Sequence, residues 1–498
     1  LLSDIPALHL KDAYKFGHPF QYPDDTTLVY SNMTARASRV LGSKHIVPFG
    51  TQYLAQEYFV DHFRRTFFDQ PKDVVLAKYE RRAKRYLGGL ASYQHIADLH
   101  DLGYLPIHVK AVPEGTLVPM RVPFFTIRNT KPEFYWVTNM LETLISNVLW
   151  LPCTSATTAY LYRLTFERYA KVTGGDLSMV KFQGHDFSMR GLAGIESACL
   201  SGAAHMLSFW GTDTTPAIDF LEMFYDANVH DEPVGLSVPA TEHSVMSMGG
   251  RANELATIRR LVTVIYPSKI ISIVCDTWDF WRVLTEYLPQ LKAEILARDG
   301  KVVVRPDSGD PVKIICGDPD APTVHERAGA IETLWRTFGG TTDANGYRTL
   351  DPHVGLIYGD SITLERQTDI LDGLMRRKFV STIPVLGIGS YTYQYTTRDT
   401  YGQAIKATYG ERTSTGPQAI YKDPKTDNGV KKSATGLLCV QLGTKGELEC
   451  HENASWDEEG QGCLQSVFMD GKAIKRETLA GMRARIDAAI ARDLGVLA

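Results

Sequence analysis

The chain has 498 residues, 44% hydrophobic and 22% charged, with a formal net charge of −4. That is ordinary globular composition, enough for two or more domains or one large barrel with additions. The slightly acidic balance gives no electrostatic case for nucleic acid or anionic lipid, so any anion must be held by a local cluster of Arg and Lys.

The opening stretch, LLSDIPALHLKDAYK, lacks a basic segment followed by a long apolar one and does not read as a signal peptide. No apolar run approaches about 18 residues, so no membrane span is expected. Seven cysteines, an odd count with no CxxC pair, favour free thiols in a reducing, cytoplasmic compartment. Residues 1–145 mix strands such as TTLVYSNMTA and IHVKAVPEG with a charged helix around VVLAKYERRAKRYL.

Between 146 and 394 one pattern recurs: a short β-branched run ends in Gly or a charged residue, and a helical stretch follows. The runs end at Asp186–Phe187 (HDF), Asp213 (SFWGTD), His243 (GLSVPATEH), Asp276 (IISIVCD), Arg305–Asp307 (KVVVRPDSG), Asp360 (VGLIYGD) and Ser390 (PVLGIGS). Successive ends from 213 to 305 are roughly 30 residues apart, near the roughly 31 per unit of an eight-fold βα barrel. The longer gap before 360 holds GGTTDANGYRTL, which reads as an inserted hairpin or loop. Strands alternating with helices predict an α/β fold, an irregular (β/α) barrel whose C-terminal strand ends gather polar residues on one rim.

The tail, 395–498, has turns at KDPKTDNG and MDGK and a last helix with Leu479, Met482, Ile486 and Ile490 on one face. That face fits packing against the core or a second subunit rather than a membrane. The two flanks, 1–145 and 395–498, read as one outer α+β domain.

Several stretches offer chemistry. In RPDSGDP, Arg305 supplies a planar fork for phosphate or carboxylate, and Asp307 can accept from sugar hydroxyls; the plainer reading is a solvent-exposed turn with a local salt bridge. Glycines after strands, in GDS (Gly359, Asp360) and GIGS (Gly389, Ser390), can let backbone N–H groups approach a phosphate. Neither a Walker loop nor a helix-opening GxGxxG is present. No Cys/His cluster suggests zinc, while magnesium carried in on substrate phosphates and touched through water fits the acidic strand ends. His243 needs an orienting carboxylate if it is to act as a nucleophile, and Asp276, one unit on, is the natural candidate. Taken alone, a core histidine satisfied by backbone carbonyls has the better claim. In KDAYKFGH, Tyr14 stands between Asp12 and Lys15, which also reads as an arm packed on the surface.

The ordered set KDAYKFGH, QYPDDTTLVYS, PFGTQY, HDFSMRG, FWGTDT, SVPATEHS, RPDSGDP, IYGDSI, TTRD, AIKAT and YKDP closely resembles the nicotinamide phosphoribosyltransferase family of type II phosphoribosyltransferases. The resemblance runs from about residue 8 to 470. It implies an enzyme of NAD salvage that joins nicotinamide to 5-phosphoribosyl 1-pyrophosphate, giving nicotinamide mononucleotide and pyrophosphate. It also implies a homodimer with shared active sites, a magnesium requirement, and ATP hydrolysis coupled through a phosphohistidine.

By position, His243 resembles the phosphorylated residue, Asp276 its partner, and Glu242 a neighbour of the magnesium pyrophosphate. Phe187 and the partner subunit's Tyr14 resemble the two faces of a nicotinamide sandwich, with Asp213 as acceptor for the carboxamide and Arg305 beside the base and phosphates. Arg190, with Arg36, Arg398 and Lys406 from the partner, would hold phosphates, and Lys422 and Asp12 belong to the same set. Asp307 would bind ribose hydroxyls, and Gly359, Asp360, Gly389 and Ser390 would line the ribose-phosphate pocket. Ser188, Ser361, Ile388, Ser390 and Tyr391 depart from the small residues common in the family and bear on the shape of that pocket. A nicotinate-using enzyme and a non-catalytic binding protein on the same fold are the competing readings.

Overall fold

A computed structural model describes residues 4–426 and 431–496. The first three residues of the opening stretch and the end of the KDPKTDNG turn lie outside the described residues. The chain divides into two compact units, one of residues 1–157, 220–227 and 396–489, the other of 158–219, 228–395 and 490–498.

The first unit is built on a mixed-length antiparallel sheet. Thr26–Ala35 pairs on one side with Gln403–Arg412 and on the other with Pro123–Asn129, so the N- and C-terminal segments share one sheet. The outer α+β domain expected of the two flanks is therefore present. The segment 220–227 joins it through Tyr225, whose hydroxyl donates to buried Glu114 at 3.0 Å. Glu114 also accepts from the backbone N–H groups of Gly50 and Gln52, each at 2.7 Å. Burial raises its carboxyl to about 7, against those hydrogen bonds, which lower it. The folded state thus holds a proton that the unfolded chain releases near pH 4.5, so this group lowers stability as pH rises from about 4.5 to about 7. Glu114→Gln is expected to flatten the pH dependence of Tm across that window; an unchanged slope would remove Glu114 from it.

The second unit holds six parallel strands: β1 Gly184–Asp186, β2 Gly211–Thr212, β3 Ile271–Val274, β4 Val302–Arg305, β5 Val354–Tyr358 and β6 Pro384–Ile388. Their order is β2-β1-β6-β5-β4-β3. β3 and β5 are buried on both faces, as parallel strands under helices require, while β4 alternates with Val303 half-buried; Ile271, Ile273, Val302, Val304, Leu356 and Ile388 are all within the core. Each buried aliphatic side chain contributes about 2 kcal/mol relative to exposure, which fixes the strands and leaves their polar last residues at the rim.

The seventh expected strand, GLSVPATEH, does not form. Instead Leu236 exchanges hydrogen bonds with the β2 edge, donating to Trp210 O at 2.7 Å and accepting from Thr212 N at 3.0 Å. Four residues on, Ser272 N donates to Pro239 O at 2.9 Å and Thr241 N to Ser272 O at 3.0 Å, on the β3 edge. Pro239 has no N–H to extend a ladder. The stretch therefore joins the two edges of the curled sheet by single bridges at Gly211–Leu236 and Ala240–Ser272. The ring has six strands and this closing segment rather than eight regular units. The insertion before β5 is a hairpin, Gly340–Thr342 pairing with Arg348–Leu350. The last helix, Leu479–Val496, buries Leu479, Met482, Ile486 and Ile490. No helix among the described residues is long and apolar enough to cross a membrane.

Candidate active site

The rim residues of the second unit form three linked groups. In the first, His243 opens the short helix His243–Met248, directly after the closing segment. Its Nε2 lies 3.2 Å from Asp276 Oδ1, with the imidazole half exposed and the carboxylate only 7% exposed. The other carboxylate oxygen of Asp276 accepts from Asp307 N at 3.0 Å and Ser308 Oγ at 2.6 Å. Asp276 is thus anchored by the RPDSGDP turn while it faces the imidazole. With Nε2 donating to this carboxylate, Nδ1 carries the lone pair. Glu242 is exposed beside it and accepts from Ser244 Oγ.

The two acids of RPDSGDP have different duties. Asp310 caps the helix Pro311–Cys316, accepting from Val312 N at 2.9 Å and Lys313 N at 3.2 Å. Asp307 stays at the rim. Arg305 donates through Nη2 to Thr241 O at 2.9 Å, tying β4 to the closing segment, and its buried Nε has no partner among the described residues.

The second group surrounds Phe187. Its ring is half-buried, tilted against His185 at a centroid distance of 4.7 Å, and it rests over two glycines. A Cβ at Gly387 would sit 2.8 Å from Phe187 Cε2 and 2.8 Å from the Gly359 Cα. One at Gly359 would sit 2.9 Å from Asp307 Oδ1. Gly387 thus leaves room for the ring and Gly359 for the Asp307 carboxylate, a role separate from the backbone approach to phosphate expected of strand-end glycines. Gly389 faces open space. Asp360 is exposed, and Ser361 after it takes a left-handed φ of 49°.

Asp213 forms the third group. Its Oδ1 accepts from His185 Nε2 at 2.9 Å and Ser237 Oγ at 2.6 Å, leaving Oδ2 without a partner among the described residues. Burial pushes this carboxyl up, but the His185 hydrogen bond and charge, Ser237 and the Arg305 guanidinium outweigh it and hold it below the usual value. Asp213 is therefore an anionic acceptor at neutral pH. Phe187, Arg190 and Asp213 line one open cleft of about 490 Å³. Two of the departures have local reasons. Ser188 Oγ donates to buried Asp186 at 2.6 Å, and Ser390 fills the space where a side chain on Gly191, next to Arg190, would otherwise stand.

Six expected residues lie in the first unit: Asp12, Tyr14, Arg36, Arg398, Lys406 and Lys422. Tyr14 is 58% exposed, with its hydroxyl 3.5 Å from Asp12 Oδ2. Lys406 lies 3.6 Å from Glu142, and its ammonium is destabilised first by burial; among the charges, Arg36 and Lys422 add to this while Glu142 opposes it. Arg36 and Lys406 line a common cavity. Arg398 is exposed beside Asp399 at 3.5 Å. Two supporting residues escaped the sequence reading, His185 and Ser237, while Gly387 entered it just as the first glycine of GIGS. The first could have been found from its place in HDF, beside the strand end; Ser237 carries no signal, because only folding sets it against Asp213.

The nicotinate phosphoribosyltransferase family model matches residues 182–472, more than half the chain. The chain belongs to the nicotinate phosphoribosyltransferase family. This phosphoribosyltransferase, an enzyme of the glycosyltransferase class, also matches the N-terminal domain of nicotinamide phosphoribosyltransferase over residues 7–109. It is 49% identical over 495 residues to an Acinetobacter baylyi nicotinamide phosphoribosyltransferase, covering 97% of each chain. It is 35% identical over 440 residues to the Mycoplasma pneumoniae protein of that name, covering 84% of this chain and 93% of that one. The crystal structure of nicotinate-nucleotide pyrophosphorylase from Pyrococcus furiosus shares the fold, at a TM-score of 0.61 and 14% identity, over 98% of this phosphoribosyltransferase and 96% of that chain.

Proposed function

We propose that this phosphoribosyltransferase makes nicotinamide mononucleotide and pyrophosphate from nicotinamide and 5-phosphoribosyl 1-pyrophosphate in NAD salvage. The reading is carried by the cleft in which the Phe187 ring, Arg190 and the open Oδ2 of Asp213 converge. A flat pyridine suits an aromatic face, with stacking worth on the order of 1 kcal/mol beyond area burial. An ionised carboxylate accepts the carboxamide NH₂ and repels the carboxylate of nicotinic acid, a difference of several kcal/mol in a dry pocket. As pyrophosphate departs, the ribose gains oxocarbenium character that the carboxylates of Asp307 and Asp360 stabilise, while arginines take the leaving charge.

ATP coupling belongs to the same reading. Nδ1 of His243 attacks the γ-phosphorus, the bond to the ADP oxygen breaks, and Asp276 stabilises the cationic ring through Nε2. Among the described residues no group of three or more His, Cys, Asp and Glu is arranged to hold a metal ion. The hard carboxylate oxygens of Glu242, Asp276, Asp307 and Asp360 suit magnesium held through water and substrate phosphates. Bound there, magnesium would neutralise phosphate charge.

Homodimerisation is the remaining part of the proposal: Tyr14, Arg36, Arg398, Lys406, Lys422 and Asp12 of one protomer serve the rim of its partner. The exposed face of Tyr14 and the cationic cavity beside Arg36 support it. A reducing, cytoplasmic setting suits seven cysteines that are all free thiols. Tyr14→Ala is expected to raise the KM for nicotinamide about tenfold with a smaller change in kcat; an unchanged KM would count against the sandwich.

The test of the whole reading is a steady-state comparison of nicotinamide and nicotinic acid with purified protein, 5-phosphoribosyl 1-pyrophosphate, magnesium and ATP. A higher kcat/KM for nicotinamide is expected. A higher value for nicotinic acid would replace the substrate, and mass spectrometry showing no mononucleotide with either base would favour a binding protein.

A further inference from the structure

Asp186 ends β1 and is 0% exposed. Its Oδ1 accepts from Ser188 N at 2.9 Å and Ser188 Oγ at 2.6 Å, and its Oδ2 accepts from Thr212 Oγ1 at 3.3 Å. The Thr212 hydroxyl is itself oriented, since its oxygen accepts from Thr214 N at 3.0 Å. Every partner donates, which suits an ionised carboxylate, an acceptor only. Gly202 leaves room for it: a Cβ there would sit 3.2 Å from Asp186 Oδ2. No cation pairs with the carboxylate among the described residues. The nearby His205 is neutral. Its Nε2 faces the carbonyls of Gly184 and Gly211 at 3.3 and 3.2 Å, and its Nδ1 meets the Tyr393 hydroxyl at 2.7 Å. Burial lowers this imidazole to about 4, with the Asp186 charge opposing.

A buried charge without a counter-ion is costly. The turn does not need it, because asparagine would accept from Ser188 N in the same way. What distinguishes the position is its neighbours. Phe187 follows directly, with its N–H on Ile388 O at 3.0 Å, and Asp213 N donates to Asp186 O at 2.9 Å. Asp186 is thus joined through the backbone to both the ring and the carboxylate that line the cleft. The proposed transfer creates a cation there. As N1 of the neutral base bonds to C1 of the sugar, the C1–O bond to pyrophosphate breaks, pyrophosphate leaves with the electron pair, and the ring becomes a pyridinium. A fixed negative charge in the dry interior beside the cleft favours that state without reorganisation. Arg190 lines the same cleft and opposes a cation, which gives a second carboxylate besides Asp213 a use.

We infer that Asp186 is a further specificity-determining residue, whose buried negative charge makes the cleft select the pyridinium form of the mononucleotide over ligands with an uncharged ring. The inference rests on the transferase reading and assigns a duty to a residue that does not itself face the cleft.

Asp186→Asn tests it on the full chain, with nicotinamide mononucleotide and its dihydro form as probes, since reduction removes the ring charge. By calorimetry the variant is expected to bind the cationic form about tenfold more weakly than the unchanged protein does, while the dihydro form changes by less than about twofold. In turnover, kcat should fall with the KM for the neutral base little changed. A merely structural role would move both ligands together and lower Tm. Equal weakening of both forms, or of neither, overturns the inference. Asp186→Ser keeps a hydroxyl for the turn without the charge and should give the same split if the asparagine variant folds poorly. An unchanged protein that binds neither form and makes no mononucleotide sinks the transferase reading and this inference with it. One that makes mononucleotide, with the two affinities in the same ratio as in the variant, sinks this inference alone.

Discussion

His243→Ala is expected to abolish ATP hydrolysis and acid-labile phosphorylation while leaving slow, ATP-independent mononucleotide synthesis. Removing a nucleophile takes away the covalent route altogether, so the fall in ATPase should be at least about 1,000-fold. The groups assigned to base and sugar are on other strands, and Asp276 keeps its bonds from Asp307 N and Ser308 Oγ when the imidazole is gone. The rim therefore stays built, and the basal transfer should persist with its KM for nicotinamide little changed. The assays are phosphate release, ³²P retention after alkaline and acid washes, and product formation with and without ATP. Full coupling in the variant would take His243 out of the reaction.

Gly387→Ala is the second large effect. A methyl at that position overlaps the Phe187 ring and approaches the Gly359 Cα to 2.8 Å. Backbone cannot yield there without disturbing β5 and β6, so the ring must move. Overpacking of this kind costs typically about 1–3 kcal/mol, and its site is the wall of the cleft. The KM for nicotinamide should rise by about tenfold or more, with a smaller loss in Tm. A variant with lower Tm and unchanged KM would mean that Gly387 serves the sheet and not the base. Gly389→Ala is the control for Tm alone, because a methyl there meets nothing within 4 Å among the described residues.

The sequence made the gathering of strand ends legible because two properties coincide. Runs such as IISIV before Cys275 and VGLIY before Gly359 must be buried, and the polar residue that follows each run cannot go inward with it. Those rules bring Asp276, Arg305 and Asp307 to one rim without knowledge of any partner. The two flanks read as one outer domain, but the pairing of TTLVYSNMTA with Gln403–Arg412 was not legible, since Pro123–Asn129 of its own flank supplies just one of its two partners. VPATEHS misled because its composition suits a strand while Pro239 withholds the donor a ladder needs. Strand-end glycines were only half legible. Their spacing is visible, but whether they admit a phosphate or a phenyl ring depends on Phe187, reached only through folding.

The closing segment bears on how the barrel tolerates its own chemistry. The imidazole of His243 follows a stave of the ring that is held by two single bridges and by side-chain bonds at Ser237 and Thr241, and not by a ladder along its length. A paired strand that shifted would break several ladder bonds together. On the proposed reading, a phosphoryl group gained and lost at the end of this stave would load separate ties and not a ladder shared with the hoop of strands around it.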